Sequence, residues 1–345
     1  MVVNPGRPSD IPQGCQGRPF AICGELAVVS SYTKPFRTPE DLIVQLRGRG
    51  LTINDEPASI AALRTIGYYA LSGYWYPMRE TTSNGSPAKT DDFIPGATFE
   101  HALRLFEFDK ALRALAIEAL EWVERVLKVE IALTLGPLDT FAHVNSTFMQ
   151  PWFLQKSDRS PESRHDRWIV SHKRKYSQRP DVHMIAFIGK YSDPLPIWVA
   201  IEAMDFGDAS TLLSGLKGSY SNAIAKRFNV TGGPDLVSMV RAMTQVRNTC
   251  AHHDRLWNRV HVNHAKMPVG SAAAFFDQLN GMDQRIWERT YASLLVLAYL
   301  HEQIRPGTEW PKRLATHLKS LETGFGVTQA SLGAMVGWES HPIWN

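Results

Sequence analysis

Between Thr98 and Leu135 the apolar residues Leu103, Phe106, Leu112, Leu115, Val123, Leu127 and Ile131 recur at mostly helical intervals, and Gly136 supplies a stop. This is the longest helix the pattern specifies. Extended alternating runs are almost absent elsewhere, so the chain is constrained to an all-α fold. Thr38 with Asp41 three positions later forms a capping box that opens a helix through Gly48. Asp55-Glu56-Pro57 opens another that ends near Gly67. Further helices fit Pro196 to Met204, Asp208 to Leu216, Ser219 to Phe228, Asp235 to about Val260, Met282 to Ile304 and Pro311 to Thr323. The aromatic cluster from Tyr68 to Pro77 reads as a helix junction packed on the core in preference to a base-stacking platform.

With 345 residues, 44% of them hydrophobic, the chain can bury one large core or two linked ones. Residues 1–30 carry early Pro, Gly and polar residues and read as an irregular arm, leaving residues 31–345 as one helical domain with an N-terminal subregion. Gly136-Pro137, Asp193-Pro194 and Gly232-Gly233-Pro234 mark connections within it, and no repeat of fixed period is present. The longest apolar run, Leu294 to Leu300, is too short to cross a bilayer, and the N-terminus lacks the layout of a signal peptide. A cytoplasmic protein with no membrane partner is expected. Cys15, Cys23 and Cys250 lack paired spacing, which supports neither a disulfide framework nor a zinc site, and Cys250 reads as a buried thiol. Net charge is only +3, but residues 156–179 hold eight Lys/Arg against three Asp/Glu. With Trp152, Trp168 and Tyr176 interleaved, that segment either tracks a phosphate backbone or forms a solvated face.

The densest chemistry lies in Arg247-Asn248-Thr249-Cys250-Ala251-His252-His253-Asp254-Arg255-Leu256-Trp257-Asn258-Arg259. An Arg offers a rigid fork of donors to phosphate, a His titrates near neutral pH, and Asn248 lies one helical turn before His252. The spacing of Arg247 to His252 is not distinctive by itself: chance gives about two or three such pairs at this composition, and Arg159–His165, Arg167–His172, Arg255–His261 and Arg259–His264 are also present. Context separates the pair, since Asn248 follows the Arg, the small Ala251 precedes the His, and the preceding segment reads as helix. Pro161 interrupts the Arg159–His165 spacing.

This block resembles the RN-x-x-AHH-x-RLWNR signature of the Abi family, the AbiD/AbiF-like abortive-infection proteins within the HEPN superfamily. Other segments resemble the family in order: Tyr68–Pro77, Phe106-Glu107-Phe108-Asp109-Lys110-Ala111-Leu112-Arg113, Leu195-Pro196-Ile197-Trp198, Met204-Asp205-Phe206-Gly207 and Gly337–Trp344. The resemblance covers roughly residues 32 to 345. The resemblance implies a HEPN-like helical bundle with an additional N-terminal helical subregion. It implies that Arg247 and His252 are the active-site pair of an endoribonuclease toxin acting in phage defence, with no metal or other cofactor. It further implies restraint by an antitoxin, of which a cognate structured RNA is one kind. In one HEPN subgroup control runs through modification of a Tyr two residues after the motif His; here that position is Asp254.

On a continuous helix Arg247 and His252 stand about 140° apart and about 7.5 Å along the axis. In-line attack by a 2′-hydroxyl needs base and acid on opposite sides of phosphorus, which one His cannot supply alone. Two copies of the pair are therefore expected to meet, and the second comes from a second chain in a C2 homodimer, the general arrangement of HEPN nucleases. Asn248 would orient or hydrate the imidazole, and His253, pointing about 100° away from His252, would hydrogen-bond near the phosphate or across the dimer without sharing a metal. Arg255 and Arg259 would grip flanking phosphates, or form a salt bridge or a dimer-interface contact, and Trp257 is expected in the core in preference to stacking a base. Glu107, Asp109 and Arg113 fit an intrahelical charge network as well as a place beside the site. The competing reading of the whole chain is a noncatalytic RNA-binding or protein-interaction module; a DNA-binding regulator lacks a recognisable recognition helix.

Overall fold

The computed structural model describes residues 35–82, 88–156, 160–178, 182–191, 193–280 and 282–345, so the expected arm at residues 1–30 and Cys15 and Cys23 lie outside the described residues. Thr38–Asn345 form one compact unit. Its elements are α1 (Pro39–Gly48), α2 (Glu56–Thr65), α3 (Tyr68–Trp75), strands β1 (Arg79–Thr81) and β2 (Lys89–Phe93), α4 (Phe99–Leu135), α5 (Pro151–Leu154), α6 (Arg164–Gln178), α7 (Val182–Lys190), α8 (Ile197–Ala203), α9 (Phe206–Gly215), α10 (Gly218–Arg227), α11 (Gly233–Ala251), α12 (Thr290–Ile304) and α13 (Trp310–Lys319). Among the described residues the protein is all-α apart from the small antiparallel hairpin of β1 and β2.

The predicted long helix is α4, 37 residues and about 55 Å of spine. Thr98 caps it, with its side chain accepting from the His101 amide. Helices α3 and α8 to α13 all pack on it. Deepest is α12, whose residues Thr290–His301 are buried on every side, as a helix apolar all round must be. The capping box of Thr38 and Asp41 opens α1 as expected, and the Asp55 side chain caps α2. The Glu100 carboxylate receives the amides of Asn54 and Asp55, docking the N-terminal helices on the start of α4. Among the described residues no helix is long and apolar enough to cross a membrane.

Three expectations change. The hairpin goes unread in the sequence because its strands are short and mostly polar, held by the Lys89 ammonium on the carbonyls of Pro77 and Arg79 and by Asp91 between Arg49 and Arg79. The helix expected from Met282 begins only at Thr290, since the backbone at Val260–His261 pairs with Glu288–Arg289 and holds it extended. The helix expected to run from Asp235 to about Val260 ends at Ala251. Helix propensity beyond Ala251 yields to a turn that is tied down from outside.

That tie is Asp109. Its carboxylate, fully buried on α4, accepts from Arg113 (2.5 Å), the Tyr74 hydroxyl (2.7 Å) and the backbone amides of Leu256 (3.1 Å) and Trp257 (2.6 Å). Burial pushes the Asp109 carboxyl upward from its ordinary range, and these donors pull against it. The Tyr74 hydroxyl is pushed up as well, by burial first and then by the neighbouring carboxylate. Glu107 is not part of this cluster; it is exposed and paired with Lys110.

The inward stripe of α6 is His165, Trp168, His172 and Tyr176, at helical spacing. The indole of Trp168 donates to the Asp208 carbonyl, and Lys175 bridges the carboxylates of Asp205 and Asp208 at 2.6 and 2.7 Å, which pins α6 to the start of α9. The ring of His172 stacks on Trp168 with no hydrogen-bond partner on either nitrogen. Burial holds its pKa down at about 4, against 6.5 for the free side chain.

Two tests follow from this packing. Asp109→Ala removes the carboxylate from the buried Arg113, leaves it only the Tyr74 hydroxyl, strands two amides in the core and should lower the unfolding free energy by about 3–5 kcal/mol, read by denaturant titration. Between pH 6.5 and 4 the unfolded chain binds a proton that folded His172 refuses, so stability falls as pH drops through that window. His172→Phe removes this loss, and its stability relative to wild type should improve by about 2 kcal/mol from pH 7.5 to pH 5. A difference independent of pH would contradict the assignment.

Candidate functional site

The end of α11 is built without the usual glycine. His253 donates its amide to the Cys250 carbonyl and Asp254 donates to Thr249, the paired bonds of a Schellman cap, with His253 in the left-handed conformation at φ +59°. His252 is the cap residue, donating its amide to Asn248. A side chain other than Gly in that conformation costs about 1 kcal/mol or more. The clamp on Leu256 and Trp257 holds the turn that follows, and both imidazoles are exposed.

His252 opens into a cleft of about 850 Å³. One face of α11 forms its floor. Arg241, Gln245, Asn248 and His252 recur at intervals of four, three and four, which places them in one polar stripe. Arg164 and Arg167 of α6 form one wall with the exposed Trp152, whose ring the Arg164 guanidinium faces at 5.5 Å. Arg259 and Asn263 form the other. Acidic groups at the rim are already engaged: Asp208 by Lys175, and Asp254 by Arg259 at 3.7 Å. The cleft therefore carries an excess of fixed positive charge.

Arg247 does not line this cleft. It opens into a neighbouring one of about 490 Å³ between α4 and α8, where its Nε lies 3.6 Å from the Glu124 carboxylate. The helical angle between positions 247 and 252 is thus expressed as two openings in one chain. Asn248 links them, lining the His252 cleft while its Oδ1 accepts from Arg247 Nη1 at 3.1 Å.

The segment after the histidines divides its labour. Arg255 donates to the Gly73 carbonyl at 2.5 Å, and its guanidinium lies 2.9 Å from where a Cβ on Gly73 would stand. Leu256 accepts from Thr290, Asn258 accepts from Arg289 at 2.6 Å, and Trp257 is fully buried as expected. Only Arg259 of this segment's arginines reaches the cleft. Cys250 is buried, and desolvation pushes its thiol up to about 12, so it stays protonated and inert. Of the basic segment, Trp168 and Tyr176 turn inward while Arg164 and Arg167 face the cleft. Arg241 was missed in the sequence, although its spacing to Asn248 and His252 was a readable signal.

Fold and cleft define an all-α protein with an arginine-lined polar cleft at the end of a buried helix. Residues 61–258, more than half of the chain, match the model of the Abi-like protein family, and the chain belongs to that family. The matched segment runs from α2 through the turn at Trp257 and includes the Asp109 clamp, Arg247 and His252. No curated protein and no solved structure matches the chain.

Position 253 separates backbone from side chain. His253→Gly relieves the left-handed strain and should leave the melting temperature unchanged or raise it, by up to about 1 kcal/mol in stability. A drop in stability would mean that the imidazole, and not the backbone, holds the cap.

Proposed function

We propose that this member of the Abi-like family, a family that points to abortive-infection phage defence, is a metal-independent HEPN endoribonuclease toxin. The observation that carries the reading is the arginine-lined cleft into which His252 opens, with Asn248 and Arg259 beside it. A phosphate in that cleft meets rigid guanidinium forks, and the cap leaves an imidazole exposed at its edge. Arg247 opens on the other side of Asn248, which favours a site completed by a second copy of the chain.

In this reading the 2′-hydroxyl of RNA loses its proton to one His252 as its oxygen attacks phosphorus. The His252 of the second copy donates a proton to the departing 5′-oxygen. Arg247 from each copy balances charge on the phosphoryl oxygens. The bond to the 5′-oxygen breaks, leaving a 2′,3′-cyclic phosphate and a 5′-hydroxyl. Asn248 positions the imidazole or its proton, and His253 hydrogen-bonds near the phosphate. Arg259 holds a flanking phosphate, whereas Arg255 acts through the turn it ties to α3. The partners are an RNA substrate, a second copy of the chain and a restraining antitoxin, for which a cognate structured RNA is the proposed class.

Purified protein incubated with mixed cellular RNA in EDTA tests this. Wild type should cut, leaving cyclic phosphate ends, and Arg247→Ala and His252→Ala should each slow cleavage about 10²- to 10⁴-fold. Equal cleavage by the variants would remove the pair from catalysis. RNA bound but uncut by all three would favour the noncatalytic RNA-binding module.

A further inference from the structure

The His252 cleft does not stop at His252's end of the helix. A second depression of about 540 Å³ adjoins it, sharing Ser214, Arg241 and Asn263 as common walls. It runs beside α11 to the first turn at Gly233 and Pro234. The outer wall is an extended strap, residues 262–266, that returns along α11. The helix side chains Gln245, Ser238 and Asp235 accept the amides of Asn263, Lys266 and Val269 in turn. The register is sound: seven helical residues from Ser238 to Gln245 rise about 10.5 Å, and three extended residues of strap span about 10 Å.

The two depressions make one groove along a helix of 19 residues, about 28 Å. Charge follows the same line. Arg164 and Arg167 stand at one end, Arg241 in the middle and Lys266 toward the other. Arg241 is exposed and makes no hydrogen bond or ion pair among the described residues. At the mouth, Trp152 offers an exposed indole backed by the Arg164 guanidinium, a stacking face with a cation behind it.

We propose that this groove is a binding track for single-stranded RNA, in which Trp152 stacks one base and Arg164, Arg167 and Arg241 hold the backbone that passes His252. The proposal rests on the ribonuclease reading for its choice of RNA and extends that reading to the substrate's form. At the 3.4 Å stacked spacing the track accommodates up to about eight nucleotides. A base stacked on the exposed Trp152 is unpaired, so cutting falls in loops, bulges and unpaired linkers.

Fluorescence anisotropy with a labelled mixed-sequence RNA of about 12 nucleotides measures this, using full-length His252→Ala protein so that the probe survives. Added Trp152→Ala should weaken binding about 5- to 100-fold, and Trp152→Phe should restore most of it. Arg241→Ala should lower the slope of log affinity against log salt by about 0.7. Arg64→Ala, an exposed arginine on α2 paired with Glu40, is the control and should change neither. A blunt duplex of the same length should bind at least about tenfold more weakly than the single strand. Trp152 and Arg241 are both exposed, so the variants should melt as the parent does. Equal affinity for the duplex, or groove variants indistinguishable from Arg64→Ala, overturns the track. The two readings fail separately: groove-dependent binding with no cleavage by wild type sinks the nuclease and keeps the track. Cleavage by wild type with undiminished affinity in the groove variants does the reverse.

Discussion

One buried carboxylate sets the geometry on which the rest depends. Asp109 gathers a tyrosine from α3, an arginine from its own helix and two amides from the turn after α11. These groups come from three segments far apart in sequence, and none can let go cheaply, because the two amides would be left buried without this acceptor and Arg113 and Tyr74 would keep only each other. The turn therefore cannot continue as helix. It leaves α11 at Ala251, drives His253 into the left-handed conformation and puts His252 at the exposed end. Arg255 on the Gly73 carbonyl and Thr290 on the Leu256 carbonyl add two more ties to the same turn.

The cleft inherits its character from this arrangement. Ending α11 where it does exposes the polar stripe from Arg241 to His252. The returning strap then lies against the same helix, fixed by Gln245, Ser238 and Asp235. Across the stripe, α6 is held by Lys175 on Asp205 and Asp208, which consumes the acidic side chains nearest the cleft and leaves its arginines facing inward. A region with only modest net charge in its sequence thus becomes locally positive through pairing in three dimensions. Proximity of rigid guanidinium groups to a titratable imidazole is the chemistry that the proposed reaction uses.

Much of this was legible beforehand, and the misses have physical causes. Periodicity found α4 and its stop at Gly136, and capping chemistry found the starts of α1 and α2, because both signals are local. Burial of Trp257 and Cys250 also followed from local pattern. The end of α11 was misplaced because it is decided by Asp109, 147 positions from Leu256 in the chain, and because the cap residue is His where Gly would have advertised it. The same remoteness hid the destination of Arg255, which reads as a phosphate grip or a salt-bridge partner and is tied to the Gly73 carbonyl. Arg241 lies outside the dense motif, two helical turns upstream of Asn248, where only the four-and-three spacing of the stripe marks it.

In the proposed reaction a working site needs this turn from two chains at once, since Arg247 and His252 open into separate clefts within one. Mixing wild-type protein with His252→Ala protein, allowing chains to exchange, and measuring RNA cleavage at fixed total protein tests it most directly. If two wild-type chains must meet, activity follows the square of the wild-type fraction and falls to about a quarter in an equal mixture. Activity of about a half, in proportion to wild-type protein alone, would mean that each chain cuts independently and would contradict the account.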